Sequence, residues 1–194
     1  MPYKFMNVVF IENDSGEVLL SKKLKGIGAG KYNGPGGKVE ESSDGEGKGK
    51  IPAMSEAIKK SAVREVYEET SLVVDEKDLE LAGSLKVSFL EEPEKEFIIY
   101  LYRTKKFIGE PTVSEKEKEK LEGWKWVKRE ELKEILEAGN FLGADKEWPL
   151  HVLNGETLRG LFRFNNSKEF KTVDCKVRVE KKEEREIRGK MTKL

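Results

Sequence analysis

Short apolar runs rich in β-branched residues alternate with glycine-rich turns and charged helix-forming stretches, and their order predicts layered strands and helices. Residues 4–12, KFMNVVFIE, and 17–23, EVLLSKK, read as two strands joined by the turn Asn13-Asp14-Ser15-Gly16, whose residues tolerate the angles of a tight reversal. Between Gly26 and Gly37 the chain holds six glycines and Pro35, which predicts a loop. A polar, glycine-rich insertion follows at about 41–53. From Ser55 onward, SEAIKKSAVREVYEETSL consists of strong helix formers, with Ser55 placed as N-cap and Glu56 suited to the positive end of the helix dipole. Residues 79–90 and 96–108, broken by Pro93, predict a second hairpin. Gly123–Val127 alternates like a strand, REELKEILEAG predicts a helix stopped by Gly139, and a further helix is expected over 150–158. GLFRF and FKTVDCKVRVE read as a closing pair of strands. The expectation is one α/β domain over residues 1–180, with a charged tail at 181–194.

Composition narrows the function. Charged residues make up 38% of the 194, well above the usual ~25%, yet 37 basic side chains balance 37 acidic ones. A binder of nucleic-acid polymers needs a basic surplus to neutralise phosphates, so that class is set aside. With 37% hydrophobic residues, nine Phe and three Trp, the chain can build a core. The single Cys175 excludes an intrachain disulfide framework and fits a reducing compartment, and the single His151 offers neither a catalytic triad nor a zinc cluster. No apolar run nears the ~20 residues of a membrane span, and the opening MPYKFMNVVFIENDSG turns polar too early for a signal peptide. A cytoplasmic protein without a membrane partner is expected; its oligomeric state is not legible.

The chemistry concentrates in Arg64-Glu65-Val66-Tyr67-Glu68-Glu69. At about 100° per residue, Glu65, Glu68 and Glu69 share one helix face, where like charges repel unless solvent or a cation offsets them. Carboxylate oxygens are the preferred ligands of hard divalent ions such as Mg²⁺. By itself such a face reads first as a plain solvated surface, with a metal site as the alternative. Just upstream, Gly34-Pro35-Gly36-Gly37 lets backbone approach a ligand closely.

Loop and helix together resemble the signature of the Nudix hydrolases: Gly, five residues, Glu, seven residues, then Arg-Glu-aliphatic-x-Glu-Glu-x-Gly-aliphatic. Glu56 is followed by seven residues and then by Arg64-Glu65-Val66-Tyr67-Glu68-Glu69-Thr70-Ser71-Leu72. Ser71 replaces the glycine of the signature, and 18 residues separate Gly37 from Glu56, a thirteen-residue insertion. Within the family, VLLSKKLKGIGAGKYNGPGGKVE, WPLHVL, GLFRF and VRVE are most similar to the oxidised purine nucleoside triphosphate hydrolases of the MutT-homologue type.

The resemblance implies a Nudix-type α/β/α sandwich with a mixed β-sheet. It implies Mg²⁺, with Mn²⁺ as a substitute, bound by Glu65, Glu68 and Glu69 with the backbone carbonyl of Gly37 or Gly36 as a further ligand, while Glu56 and Arg64 brace the loop–helix motif. One of the helix carboxylates, or Glu119 or Glu122 in the loop before Trp126, would take a proton from the attacking water. The expected products are a nucleoside monophosphate and pyrophosphate. Another nucleoside diphosphate derivative such as ADP-ribose is the rival substrate, and a non-catalytic nucleotide sensor the rival class. For the nucleotide itself, the resemblance points to Asn33 and Lys23, to Phe141 as a stacking surface, and to Asp145 as a displaced remnant of the subgroup's acidic pair.

Overall fold

A computed structural model describes residues 4–40, 51–141, 143 and 146–180, with the backbone alone at 51–55. Asp145, residues 41–50 of the insertion and the expected tail at 181–194 lie outside the described residues. The strands are β1 (Lys4–Ile11), β2 (Val18–Lys23), β3 (Tyr32–Asn33), β4 (Glu80–Phe89), β5 (Glu96–Thr104), β6 (Leu121–Val127), β7 (Thr157–Phe164) and β8 (Thr172–Glu180). Among the described residues three α-helices, α1 (Ile51–Thr70), α2 (Arg129–Glu137) and α3 (Trp148–Leu153), and one short 3-10 helix, Glu76–Asp78, accompany them. A mixed sheet runs β1-β5-β4-β7-β8, parallel at β1/β5 and β4/β7 and antiparallel elsewhere, beside a smaller antiparallel sheet, β3-β2-β6.

β1 lies between two cores. Val8 and Phe10 join the cluster that includes Leu132 and Leu136 of α2 and Val152 of α3, while Val9 and Ile11 pack with Ile58, Ala62 and Val66 of α1. β2 divides likewise, Val18 and Leu20 to one side and Leu19 to the other. Burial on both faces explains why these strands are continuous apolar runs instead of alternating ones. Among the described residues no helix is long and apolar enough to cross a membrane.

Several boundaries differ from expectation. β1 and β2 are consecutive strands joined by the Asn13–Gly16 turn, yet they belong to different sheets and are joined near that turn by the isolated bridge Glu12–Val18. One edge of β1 is taken by β5, and the other by the glycine loop, through Asn7 N donating to Gly37 O (2.9 Å) and Val9 N to Pro35 O (2.8 Å). β2 therefore pairs with β6. α1 begins at Ile51, which places Ser55 inside the helix and makes 51–53 part of it. Pro52 explains the earlier start, because a first-turn residue has no intrahelical partner for its N–H and proline's fixed φ suits the position. α3 starts earlier than expected, with Pro149 in its first turn, and ends at Leu153; Thr157 and Leu158 belong to β7.

The C-terminus of α1 is pinned from several sides. Trp124 Nε1 donates to Glu69 O (2.7 Å), Thr70 Oγ1 to Val66 O (2.6 Å) and Ser71 N to Tyr67 O (2.9 Å), so carbonyls that a helix end leaves orphaned are satisfied. Ser71 sits at φ 63°, the left-handed position that commonly ends a helix with glycine. Ser71→Gly is therefore expected to stabilise the fold by about 0.5–1 kcal/mol, the relief of left-handed strain outweighing the lost Thr112–Ser71 hydroxyl bond. A urea midpoint unchanged or lowered would contradict this.

Candidate functional site

Two elements bring the acidic row to the glycine loop. α1 buries Ile58, Ala62 and Val66 at four-residue spacing, which turns Glu65 and Glu69 toward the loop that lies on β1. Glu65 packs against Gly37, where a Cβ would stand 2.4 Å from the Glu65 carboxylate carbon. Glu69 accepts a hydrogen bond from Gly36 N at 3.0 Å. Glu68 is half-exposed and pairs with Arg64 Nη1 at 3.2 Å; the same nitrogen lies 3.0 Å from Glu65 Oε1. Arg64 Nη2 also donates to Lys38 O (3.2 Å), tying loop to helix. Beneath this contact Asn7 Nδ2 donates to Ser61 Oγ at 3.0 Å, both residues being buried.

The Gly37 carbonyl expected near a metal accepts the Asn7 N–H, which leaves it one lone pair for a cation. Glu56 is exposed near the start of α1, about 13 Å along the helix from Glu65. The loop glutamates expected beside the row stand elsewhere: Glu119 is exposed and pairs with Lys25 at 2.9 Å, and Glu122 is exposed on β6.

Glu117 occupies that place instead. Ser114 O accepts from Glu117 N (2.9 Å) and Lys118 N (3.1 Å), and this turn sends the Glu117 side chain inward until the residue is 8% exposed. In sequence Glu117 belongs to a Lys–Glu alternation that predicts a solvated run, and its one local signal is the Ser-x-x-Glu spacing from Ser114. Burial pushes the Glu69 carboxyl up to about 8, with the Gly36 N–H opposing and the charges of Glu65 and Glu117 adding to the rise. The Lys23 ammonium is pushed down by burial and held up in part by Glu69.

A cleft of about 140 Å³ opens beside this row. Met6, Ile27, Phe89, Phe162, Phe164 and Trp148 give it apolar walls, and Asn7, Lys23 and Asn33 add polar groups. Lys23, Asn33 and Gly36 also line a smaller cavity of about 30 Å³ that reaches Glu69, Trp124 and the buried Ser21 hydroxyl, so the cleft is contiguous with the acidic row. Phe141 lies outside the cleft lining. It is buried in the core against Phe10 and Trp148, with ring centroids at 6.3 and 5.7 Å, because the Tyr32–Phe141 bridge draws its backbone inward.

Among the described residues no three acidic, His or Cys side chains converge as a ready metal nest. The fit to a hard cation lies in the donors: carboxylates from one helix face, one of them seated where only a glycine leaves room.

Comparison with known proteins agrees with this geometry. An oxidized purine nucleoside triphosphate hydrolase of Danio rerio is 37% identical over 100 residues, covering 52% of this chain and 54% of the relative. The Mus musculus protein of the same name is 36% identical over 98 residues, covering 50% and 53%. The chain thus matches about half the length of these relatives. The crystal structure of a mutator MutT protein from Bacillus halodurans shares the fold with a TM-score of 0.63 at 21% identity, covering 91% of this chain and 97% of that one. A MutT protein from Methanosarcina mazei does so at 0.55 and 22%, covering 79% and 95%. The sequence profile of the NUDIX domain matches residues 6–147, and with the glycine loop, the acidic helix face and the mixed sheet in place, the chain belongs to the NUDIX family.

Proposed function

We propose that this protein is a Mg²⁺-dependent pyrophosphohydrolase that cleaves nucleoside triphosphates, oxidised purine triphosphates among them, to monophosphate and pyrophosphate. The observation that carries the reading is the continuity between an apolar cleft holding Asn33 and Lys23 and Glu69, the member of the acidic row that lines the adjoining cavity. Nudix hydrolases act on nucleotides and generally require a divalent ion. The names of the two relatives, each matched over about half its length, suggest the oxidised purine.

Glu65, Glu68, Glu69 and Glu117 would hold the ion, which when bound neutralises the polyphosphate and acidifies water. Asn33 can both donate to and accept from a base edge, and Lys23 offers its ammonium to the phosphates or sugar. Phe89, Phe162 and Trp148 keep water from the base. A water oxygen attacks phosphorus, the P–O bond that joins the monophosphate and pyrophosphate halves breaks, and the water's proton passes to a carboxylate of the row.

The test is pyrophosphate release over normal and oxidised purine and pyrimidine triphosphates, with ADP-ribose as a rival. Turnover of ADP-ribose alone, or nucleotide binding without turnover, would overturn the proposal. Glu68→Gln is expected to lower turnover about tenfold in a protein that still folds, because this half-exposed carboxylate is screened by water and by Arg64. Full retained activity would remove Glu68 from the metal set.

A further inference from the structure

Among the described residues three cations face the acidic row, Arg64, Lys23 and Lys120, and they differ in how freely they can leave it. Arg64 is committed to Glu65, Glu68 and the Lys38 carbonyl. Lys23 lines the small cavity from β2, and leaving would require breaking the packing there. Lys120 differs. Its backbone is fixed, N donating to Glu117 O (2.8 Å) and O accepting from Leu24 N (2.7 Å), while its side chain is 55% exposed and reaches back to Glu117 Oε1 at 2.8 Å. Glu117 itself is buried, and the Lys120 ammonium also feels the charges of Glu69 and Glu65.

We propose that Lys120 is a resident counter-ion of the acidic row, seated on Glu117, which a divalent cation displaces on binding, so that Lys120 sets the metal concentration to which the protein responds. The proposal rests on the reading of Glu117 and the helix carboxylates as metal donors. Without metal, a buried carboxylate facing like charges needs a cation, and the nearest flexible one supplies it. With metal, two cations compete for one carboxylate. The exposed ammonium yields because water solvates it at little cost, and the work of unseating it is subtracted from the metal's affinity.

Calorimetric titration of the 194-residue chain with Mg²⁺ tests this without turnover. Lys120→Met is expected to tighten Mg²⁺ binding about three- to tenfold relative to the unmodified chain. Lys118→Met removes the same charge from the same loop, but Lys118 pairs with the exposed Glu115, so its binding is expected to stay within about twofold of the parent. Lys120→Gln repeats the experiment should the Met variant fold poorly. Unchanged or weaker binding in both Lys120 variants overturns the proposal, as does equal tightening by Lys118→Met, which would reduce the effect to net charge. A parent chain that binds no Mg²⁺ at millimolar concentration instead removes the metal reading on which the proposal stands.

Discussion

Glu69→Gln is expected to lower turnover by about 10²- to 10³-fold while making the metal-free protein more stable. Both effects come from one buried carboxylate that accepts the Gly36 N–H and faces Glu65 and Glu117. Its pKa is raised by burial from 4.5 to about 8, so between those values the folded chain retains a proton that the unfolded chain has released. Folding stability must then fall as pH rises through that window, and level off above it. The amide of Gln still accepts from Gly36 but carries no charge to desolvate. At about pH 4 the two proteins should melt together, and near pH 8 to 9 the Gln variant should be more stable by on the order of 3 kcal/mol, or about 5–10 °C. Melting curves in chelator across this range are the measurement. Adding Mg²⁺ should stabilise the parent chain and leave the variant nearly unmoved, since the ion requires the ionised acid. A constant melting difference at every pH would mean that Glu69 is not the buried acid described.

What the sequence made legible was what depends on local periodicity. Glu65, Glu68 and Glu69 fall on one face for any helix over that stretch, and the glycines upstream announce a close backbone approach before any partner is known. Non-local choices were hidden. The turn at Asn13–Gly16 correctly joins two strands, but the partner of β1 is β5, about ninety residues away, and turn chemistry carries no information about that. Glu117 was hidden differently: in Ser114–Lys120 the glutamates alternate with lysines and look interchangeable, and the backbone turn that closes on Ser114 O selects the one that points inward. Phe141 shows the reverse error. The family resemblance points to it as a stacking surface, yet Phe10 and Trp148 claim it for the core.

Gly36→Ala and Gly37→Ala are expected to fail in opposite ways, and the contrast separates the scaffold of the site from its chemistry. At Gly36, where φ is 152°, an added Cβ would stand 2.2 Å from Asn7 O and 2.8 Å from Val8 Cα, both backbone atoms of β1. β1 cannot retreat, because β5 pairs with it along its whole length and Val9 and Phe10 are buried on opposite faces. The loop must detach instead, so Gly36→Ala should cost about 3 kcal/mol or more and abolish turnover with it. At Gly37 the three atoms nearest the added Cβ are all in the carboxylate end of Glu65, which can rotate aside. The fold should then change by less than about 1 kcal/mol, while a displacement of Glu65 by roughly 1 Å lowers turnover about 10²-fold. Urea unfolding paired with pyrophosphate release reads both quantities on the same samples. Should Gly37→Ala lose stability as heavily as Gly36→Ala, the Glu65 carboxylate would be part of the packing that holds loop to helix; intact turnover in that variant would show that its position against the loop has no bearing on catalysis.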